Sequence, residues 1–136
     1  MYNNIEDLFN FDKPPVWFMR QAGRYMHEYN LIKSNFSNFF DMCRNVKAVK
    51  EITLLPVKKF DFDAAIIFSD ILIILECLDV NVEFISGIGP VVDNKNIYKI
   101  FKDRNPIVNY DKLNPVYESI NSVKQELKKM NKPLIG

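Results

Sequence analysis

Sulfur chemistry and net charge are both scarce in this chain. Its two cysteines, Cys43 and Cys77, stand far apart without a Cys-x-x-Cys pattern, which argues against a disulfide framework and against a thiolate zinc site, and fits a reducing cytosol. Eighteen Lys and Arg against seventeen Asp and Glu leave a formal charge of +1, so no long-range field recruits nucleic acid or an anionic membrane. Long apolar runs are missing too. The richest stretch, Ala64 to Leu78, is broken by Asp70 and Glu76 and falls short of the roughly 20 apolar residues that span a bilayer. The opening residues Met1-Tyr2-Asn3-Asn4-Ile5-Glu6-Asp7 are polar and acidic, where an export signal needs a basic stretch followed by an apolar one. The expectation is a cytoplasmic protein that neither crosses a membrane nor binds nucleic acid.

With 48% hydrophobic residues over 136 positions, there is enough chain for one modest domain with a real core. No repeat, low-complexity tract or flexible linker divides it. A short helical lead-in is expected around Ile5 to Phe9. Pro14-Pro15 then forces extended backbone, and the β-favouring run Val16-Trp17-Phe18-Met19 predicts a first strand. Charged and polar residues alternate with aromatics from Arg20 to Phe36. Helices are predicted around Phe39–Arg44 and over Lys47–Phe60, the second bent at Pro56, which removes a backbone bond.

The continuous apolar run Ala64-Ala65-Ile66-Ile67-Phe68 predicts a buried parallel strand, and a helix is expected at Ile71 to Leu78. Val80, Val82 and Phe84 alternate with polar neighbours before Gly87-Ile88-Gly89-Pro90, a strand and turn at the edge of the protein that need not join the main sheet. Asn114 as N-cap, Pro115 at the first helical position and the stripe Val116, Ile120, Val123, Leu127 and Met130 predict a helix. Glu118 near its start and Lys128 and Lys129 near its end suit the dipole. The closing Pro133-Leu134-Ile135-Gly136 is expected to open another buried strand. Strands alternating with helices indicate a parallel α/β architecture.

Only four basic residues are arginine, and two bracket the small residues of Arg20-Gln21-Ala22-Gly23-Arg24-Tyr25. A guanidinium offers a planar fork that grips carboxylate or phosphate by two bonds, and Ala22 and Gly23 let backbone N–H groups approach the same anion. The segment can cradle an acidic ligand; it can equally hold structural arginines tied to nearby carboxylates. Asp70, past the end of the Ala64–Phe68 strand, is placed by a parallel sheet on the same edge as the arginine loop. Its plain alternative is to cap the helix that follows.

Pro15-Val16-Trp17-Phe18-Met19-Arg20-Gln21-Ala22-Gly23-Arg24-Tyr25 resembles the N-terminal signature of the uroporphyrinogen decarboxylase family, and Ile67-Phe68-Ser69-Asp70-Ile71-Leu72 its second signature, in the expected order. Val82-Glu83-Phe84, Gly87-Ile88-Gly89-Pro90 and Pro133-Leu134-Ile135-Gly136 are similar to the same family. The resemblance implies an α/β fold, the N-terminal portion of a (β/α)8 TIM barrel over residues 1–136, incomplete in this chain. It also implies a cytoplasmic enzyme without metal or cofactor that converts uroporphyrinogen III to coproporphyrinogen III by decarboxylating the acetate side chains, as a homodimer when full length. By the residue matches, Arg20 and Arg24 would bind substrate carboxylates, one of them a candidate proton donor. Asp70 would bind the central pyrrole N–H groups and stabilise the cationic intermediate, and Gln21, Ala22 and Gly23 would line that contact.

Some positions depart from the family pattern. His27 stands where proline is usual and is read as a surface replacement. Asp79 stands where glycine is typical and alters the turn into Val80. Cys43 and Cys77 are read as packing residues, and the lysines of 124–132 as a solvated helix face. A barrel of this kind takes about 250 residues, and the family's later substrate-contacting tyrosine, serine and histidine have no match here. The isolated chain is therefore expected to be inactive. The alternatives are a truncated non-catalytic relic and a piece that assembles with a separately encoded C-terminal part. A corrinoid-dependent methyltransferase of the same superfamily would need a zinc-thiolate site later in the chain, and the two arginines favour the decarboxylase.

Overall fold

The computed structural model describes residues 14–85, 87–102 and 107–136; the expected lead-in helix at Ile5 to Phe9 lies outside them. The fold is mixed α/β. In chain order it holds α1 (His27–Lys33), α2 (Phe39–Arg44), α3 (Val46–Phe60), β1 (Ala65–Ile66), α4 (Ile73–Cys77), β2 (Val82–Ile85), β3 (Gly89–Val92), α5 (Asn94–Lys102), a 3-10 turn at Tyr110–Leu113, α6 (Asn114–Lys129) and β4 (Leu134–Ile135). β1 and β4 pair in parallel, Ala65 opposite Leu134 and Ile66 opposite Ile135. β2 and β3 form a separate antiparallel hairpin, as the edge reading of that segment expects. Among the described residues no helix is long and apolar enough to cross a membrane.

α3 organises the core because its sequence is apolar on two faces. One carries Ala48 and Ile52 against Met26 and Tyr29 of the α1 region and Met42 of α2. The other carries Leu54 and Val57 against Val123 and Leu127 of α6, with Ala65 of β1 completing the cluster. Asn45 starts the helix by accepting the Ala48 N–H at 2.9 Å, a cap that satisfies one of the free N–H groups of the first turn. Pro56 stays buried inside a helix that runs unbroken to Phe60; it removes one helical bond without ending the element. Asp61 then takes a left-handed conformation, φ 53°, and stops the helix.

Two expectations need correction. Val16–Met19 is not a ladder strand: Val16 directs its N–H to Asp63 Oδ2 at 2.7 Å and accepts the Asp63 N–H at 2.9 Å. Among the described residues Trp17, Phe18 and Met19 have no such backbone pairing, and Met19 is 77% exposed. Two prolines upstream supply no N–H donors, and the edge of β1 that a neighbouring strand would use is occupied by side chains. Asn114 is likewise not the N-cap. The 3-10 turn runs directly into α6, so Asn114 is already helical and Leu113 holds the cap position without a side-chain bond. At Asp79 the turn survives the missing glycine because Asp79 adopts φ 55° itself and accepts a bond from Lys112 Nζ at 2.5 Å.

Two predictions follow from this packing. Leu127→Ala opens a cavity among α3, α6 and β1 and should lower stability by about 2–5 kcal/mol in urea unfolding, whereas Leu31→Ala, at an exposed position, should change it by under about 0.5 kcal/mol; equal losses would contradict the two-cluster core. The second concerns acid. Hydrogen bonds from Lys59 hold the Glu28 carboxyl below its usual range, those from Lys50 and Lys129 do the same for Glu126, and that from Lys132 for Asp61. A depressed folded value means stability that is present above the ordinary carboxylate range and lost as pH falls through it. Melting temperature should therefore hold from pH 7 to 5 and drop as pH falls below the ordinary glutamate value of 4.5. Glu126→Gln should shallow that acid limb, and an unchanged limb would count against these pairs.

Candidate functional site

The arginine loop is held to β1 by one side chain. Gln21, 4% exposed, donates from Nε2 to the Ala64 carbonyl at 2.7 Å, and its Oε1 accepts the Ile66 N–H at 3.0 Å. A primary amide presents one donor and one acceptor group, so Gln21 bonds a strand edge as a neighbouring peptide would. Two residues on, the Phe68 N–H donates to the buried Thr53 Oγ1 of α3 at 3.0 Å. The opposite edge of β1 is closed by β4, with Ala65 N–H on Pro133 C=O and Ile67 N–H on Ile135 C=O, both at 3.0 Å.

The remainder of the loop bonds to itself and to α1. Tyr25 O–H donates to the Gln21 carbonyl, Met26 N–H to Gly23 C=O at 3.0 Å, and Asn30 Nδ2 to Arg24 C=O at 2.8 Å. Met26 inserts into the first core cluster and Ala22 packs against it. With its backbone and buried side chains engaged, the loop leaves Arg20 and Arg24 exposed, and among the described residues neither forms an ion pair. A Cβ added at Gly23 would meet only the Tyr25 ring at 3.7 Å, an ordinary contact. Packing among the described residues does not demand glycine there.

Asp70 sits in the turn between β1 and α4. Its Oδ1 accepts the Leu72 N–H at 2.8 Å and its carbonyl the Ile73 N–H at 3.2 Å. Asp70 thus closes the turn that leads into α4 without capping it: Leu72 holds the N-cap position with no side-chain bond, and regular helix begins at Ile73 instead of Ile71. Oδ2 has no hydrogen-bond partner among the described residues. Among the described residues Asp70 forms no ion pair with Arg20 or Arg24. Phe68, two residues before Asp70, packs on the cluster that takes Ala22. Buried Cys43 is pushed up to about 12 by burial and then by the Asp70 charge. Burial also raises the Tyr29 phenol, with Cys43 adding to the shift and Arg24 opposing it. Neither thiol is activated, since burial raises Cys77 as well, and His27 is exposed at the start of α1.

A cleft of about 250 Å³ lies beside these groups, walled by Met19, Arg20, Gln21 and Ala22, by Ile66 to Ser69, and by Ile52, Thr53 and Pro56 of α3. Gly23, Arg24 and Asp70 fall outside its lining. At that size it is below the roughly 300–1,000 Å³ of pockets that enclose a whole small ligand, so it suits one arm of a larger molecule. Sequence reasoning missed Thr53 and Tyr29. The signal for Thr53 was a hydroxyl on the apolar face of a helix, where a buried O–H needs a partner.

Gln21→Leu removes both bonds to β1 at nearly constant volume and leaves the Ala64 carbonyl and the Ile66 N–H unpaired. At about 1–3 kcal/mol for each of the two orphans, it should cost about 2–6 kcal/mol in urea unfolding; a loss under about 0.5 kcal/mol would contradict the anchoring role.

Comparison with known proteins bears on the same segments. A uroporphyrinogen decarboxylase of Francisella tularensis subsp. novicida (strain U112) is 46% identical over 132 residues, covering 92% of this chain and 36% of the relative. That of Francisella philomiragia is 44% identical over 129 residues with the same coverage. That of Rickettsia rickettsii (strain Sheila Smith) is 48% identical over 118 residues, 87% of this chain and 34% of the relative. The chain thus spans about a third of the length of these relatives. The model of the uroporphyrinogen decarboxylase (URO-D) family matches residues 9–136, and the chain belongs to that family.

Proposed function

We propose that this chain supplies the first third of a cofactor-independent uroporphyrinogen decarboxylase, a cytoplasmic (β/α)8 barrel that acts as a homodimer, and that residues 1–136 form the N-terminal part of its single barrel domain. The observation that carries the reading is the anchored loop: Gln21 fastens it to β1 while Arg20 and Arg24 stay exposed and form no ion pair among the described residues, and Asp70 follows the same strand. Free guanidinium groups are suited to a substrate edged with carboxylates. The β1–α6–β4 arrangement, with its parallel pairing, supports a barrel in which strands alternate with helices.

In this reading Arg20 and Arg24 bind the carboxylate arms of uroporphyrinogen III. Gly23, where the fold leaves room, and Ala22 let the substrate approach the backbone; Gln21 contributes by fixing the loop. Asp70 Oδ2 accepts the pyrrole N–H groups while Oδ1 keeps the turn. Decarboxylation begins when a proton adds to a pyrrole carbon and makes the ring cationic. The bond from the acetate methylene to its carboxylate then breaks, carbon dioxide leaves, and the electron pair neutralises the ring cation. A proton added to the methylene makes the methyl group, and the ring gives up the one it gained. A fixed carboxylate beside the cation lowers that barrier because its charge is already oriented. No nucleic acid or membrane takes part.

The test is a hybrid in which this chain replaces the matching third of the Francisella tularensis relative. Formation of coproporphyrinogen III from uroporphyrinogen III, followed by chromatography of the oxidised porphyrins, supports the reading; a folded hybrid that makes none contradicts it. The 136 residues alone should give no turnover, because a closed barrel takes about 250 residues. Asp70→Asn keeps an acceptor for the Leu72 N–H and removes the charge, so in the hybrid it should lower kcat by about 10²-fold with little change in melting temperature. Unchanged kcat would leave Asp70 with its role in the turn alone.

A further inference from the structure

We propose that Arg44 is a positioning residue for Asp70, acting through its ion pair with Glu76, so that α2 serves as a splint behind the Asp70 turn. The inference rests on the reading of Asp70 as the substrate-binding carboxylate.

Two contacts from α2 bracket that turn. Upstream of Asp70, the ring of Phe39 meets Phe68 edge-on at 5.9 Å. Downstream, Arg44 Nη1 donates to Glu76 Oε1 of α4 at 2.5 Å. The other side of the guanidinium, Nη2, bonds Asp41 Oδ1 at 2.6 Å within α2, so one planar group is fixed by two carboxylates and its orientation is set. Burial alone would pull the Arg44 guanidinium down, but Glu76 and Asp41 outweigh it and hold it above its usual value.

α4 needs such a tie. It is only Ile73–Cys77, its N-cap Leu72 makes no side-chain bond, and Ile74 is exposed. A helix this short does not hold itself. Asp70 Oδ1 is bound to the first turn leading into α4, so any drift of α4 carries the carboxylate with it. Glu76 is also fixed from the far side, where Lys112 Nζ donates to its backbone carbonyl at 2.8 Å. The charged groups facing the pair are thus Asp41, Lys112 and Asp111, with Arg44, Glu76, Asp111 and Lys112 lining one cavity of about 280 Å³.

Two substitutions separate positioning from general charge loss. Glu76→Gln weakens the tie between helices, whereas Asp41→Asn leaves that tie in place and weakens the pair within α2 together with the bonds that Asp41 Oδ2 accepts from Ser37 and Asn38 at the start of that helix. In the 136-residue chain, amide exchange at Leu72 and Ile73 should quicken by about 10-fold in Glu76→Gln and stay unchanged in Asp41→Asn, while amides of α3 and α6 keep their rates. In the hybrid enzyme Glu76→Gln should lower kcat by about 10-fold with KM held, and cause no further loss when Asp70→Asn is already present, since coupled residues are not additive. Equal exchange at Leu72 in both variants, or the same fold-loss of kcat with and without Asp70, would overturn the proposal. Should Asp70→Asn itself leave kcat unchanged, the reading of Asp70 fails, while exchange at Leu72 still decides whether Arg44 fixes the turn. If Glu76→Gln does not fold, Arg44→Lys, which keeps the charge and loses the two-pronged span, goes through the same measurements with the same criteria.

Discussion

The bonds from Gln21 to Ala64 and Ile66 are the constraint on which the candidate site depends. β1 is two residues long, too short to define an edge through ladder bonds alone. β4 satisfies the outward N–H groups of Ala65 and Ile67, and two side chains satisfy those of Ile66 and Phe68. Because one of these side chains belongs to the arginine loop and the other to α3, closing the strand edge also fixes where the loop lies. A glutamine can do this because its amide carries the donor and acceptor groups of a peptide.

Stability and function share the same helix. α3 packs α1 and α2 on one face and α6 on the other, and between those faces it lends Thr53 to the strand edge and Ile52 and Pro56 to the cleft wall. The cleft therefore rests on elements with a well-filled core beneath them. The exposed parts carry the charge: Arg20 and Arg24 lie on the solvent side of a loop whose backbone is bonded underneath. Charged groups held exposed by a buried anchor lose little freedom when a ligand arrives, the condition under which binding is least opposed by ordering.

Much of this was legible in the amino-acid order. The apolar periods of α3 and α6, the run at Ala64–Phe68 and the hairpin around Gly87–Pro90 follow from spacing alone, since one face of each is buried. The arginine loop and Asp70 stood out as residue types with chemistry to offer. What escaped was non-local. α1 was hidden because His27, Glu28 and Asn30 interrupt its apolar positions Met26, Tyr29 and Ile32. The run Val16–Met19 has strand-like composition, but its neighbour on β1 is a side-chain amide, and no spacing rule anticipates Gln21 bonding 43 and 45 residues away. Asn114 and Pro115 resemble a helix start, yet the preceding turn had already begun to wind.

Site-resolved amide hydrogen exchange along β1 tests the central claim most directly. A strand closed on one edge only would protect alternate amides, those of Ala65 and Ile67, and leave Ile66 and Phe68 open. A strand closed by β4 on one side and by Gln21 and Thr53 on the other should protect all four amides to a similar degree. Uniformly slow exchange from Ala65 to Phe68 is the expected result; fast exchange at Ile66 beside slow exchange at Ala65 and Ile67 would mean that the arginine loop is not fastened to the strand, whereas fast exchange at Phe68 alone would report only on Thr53.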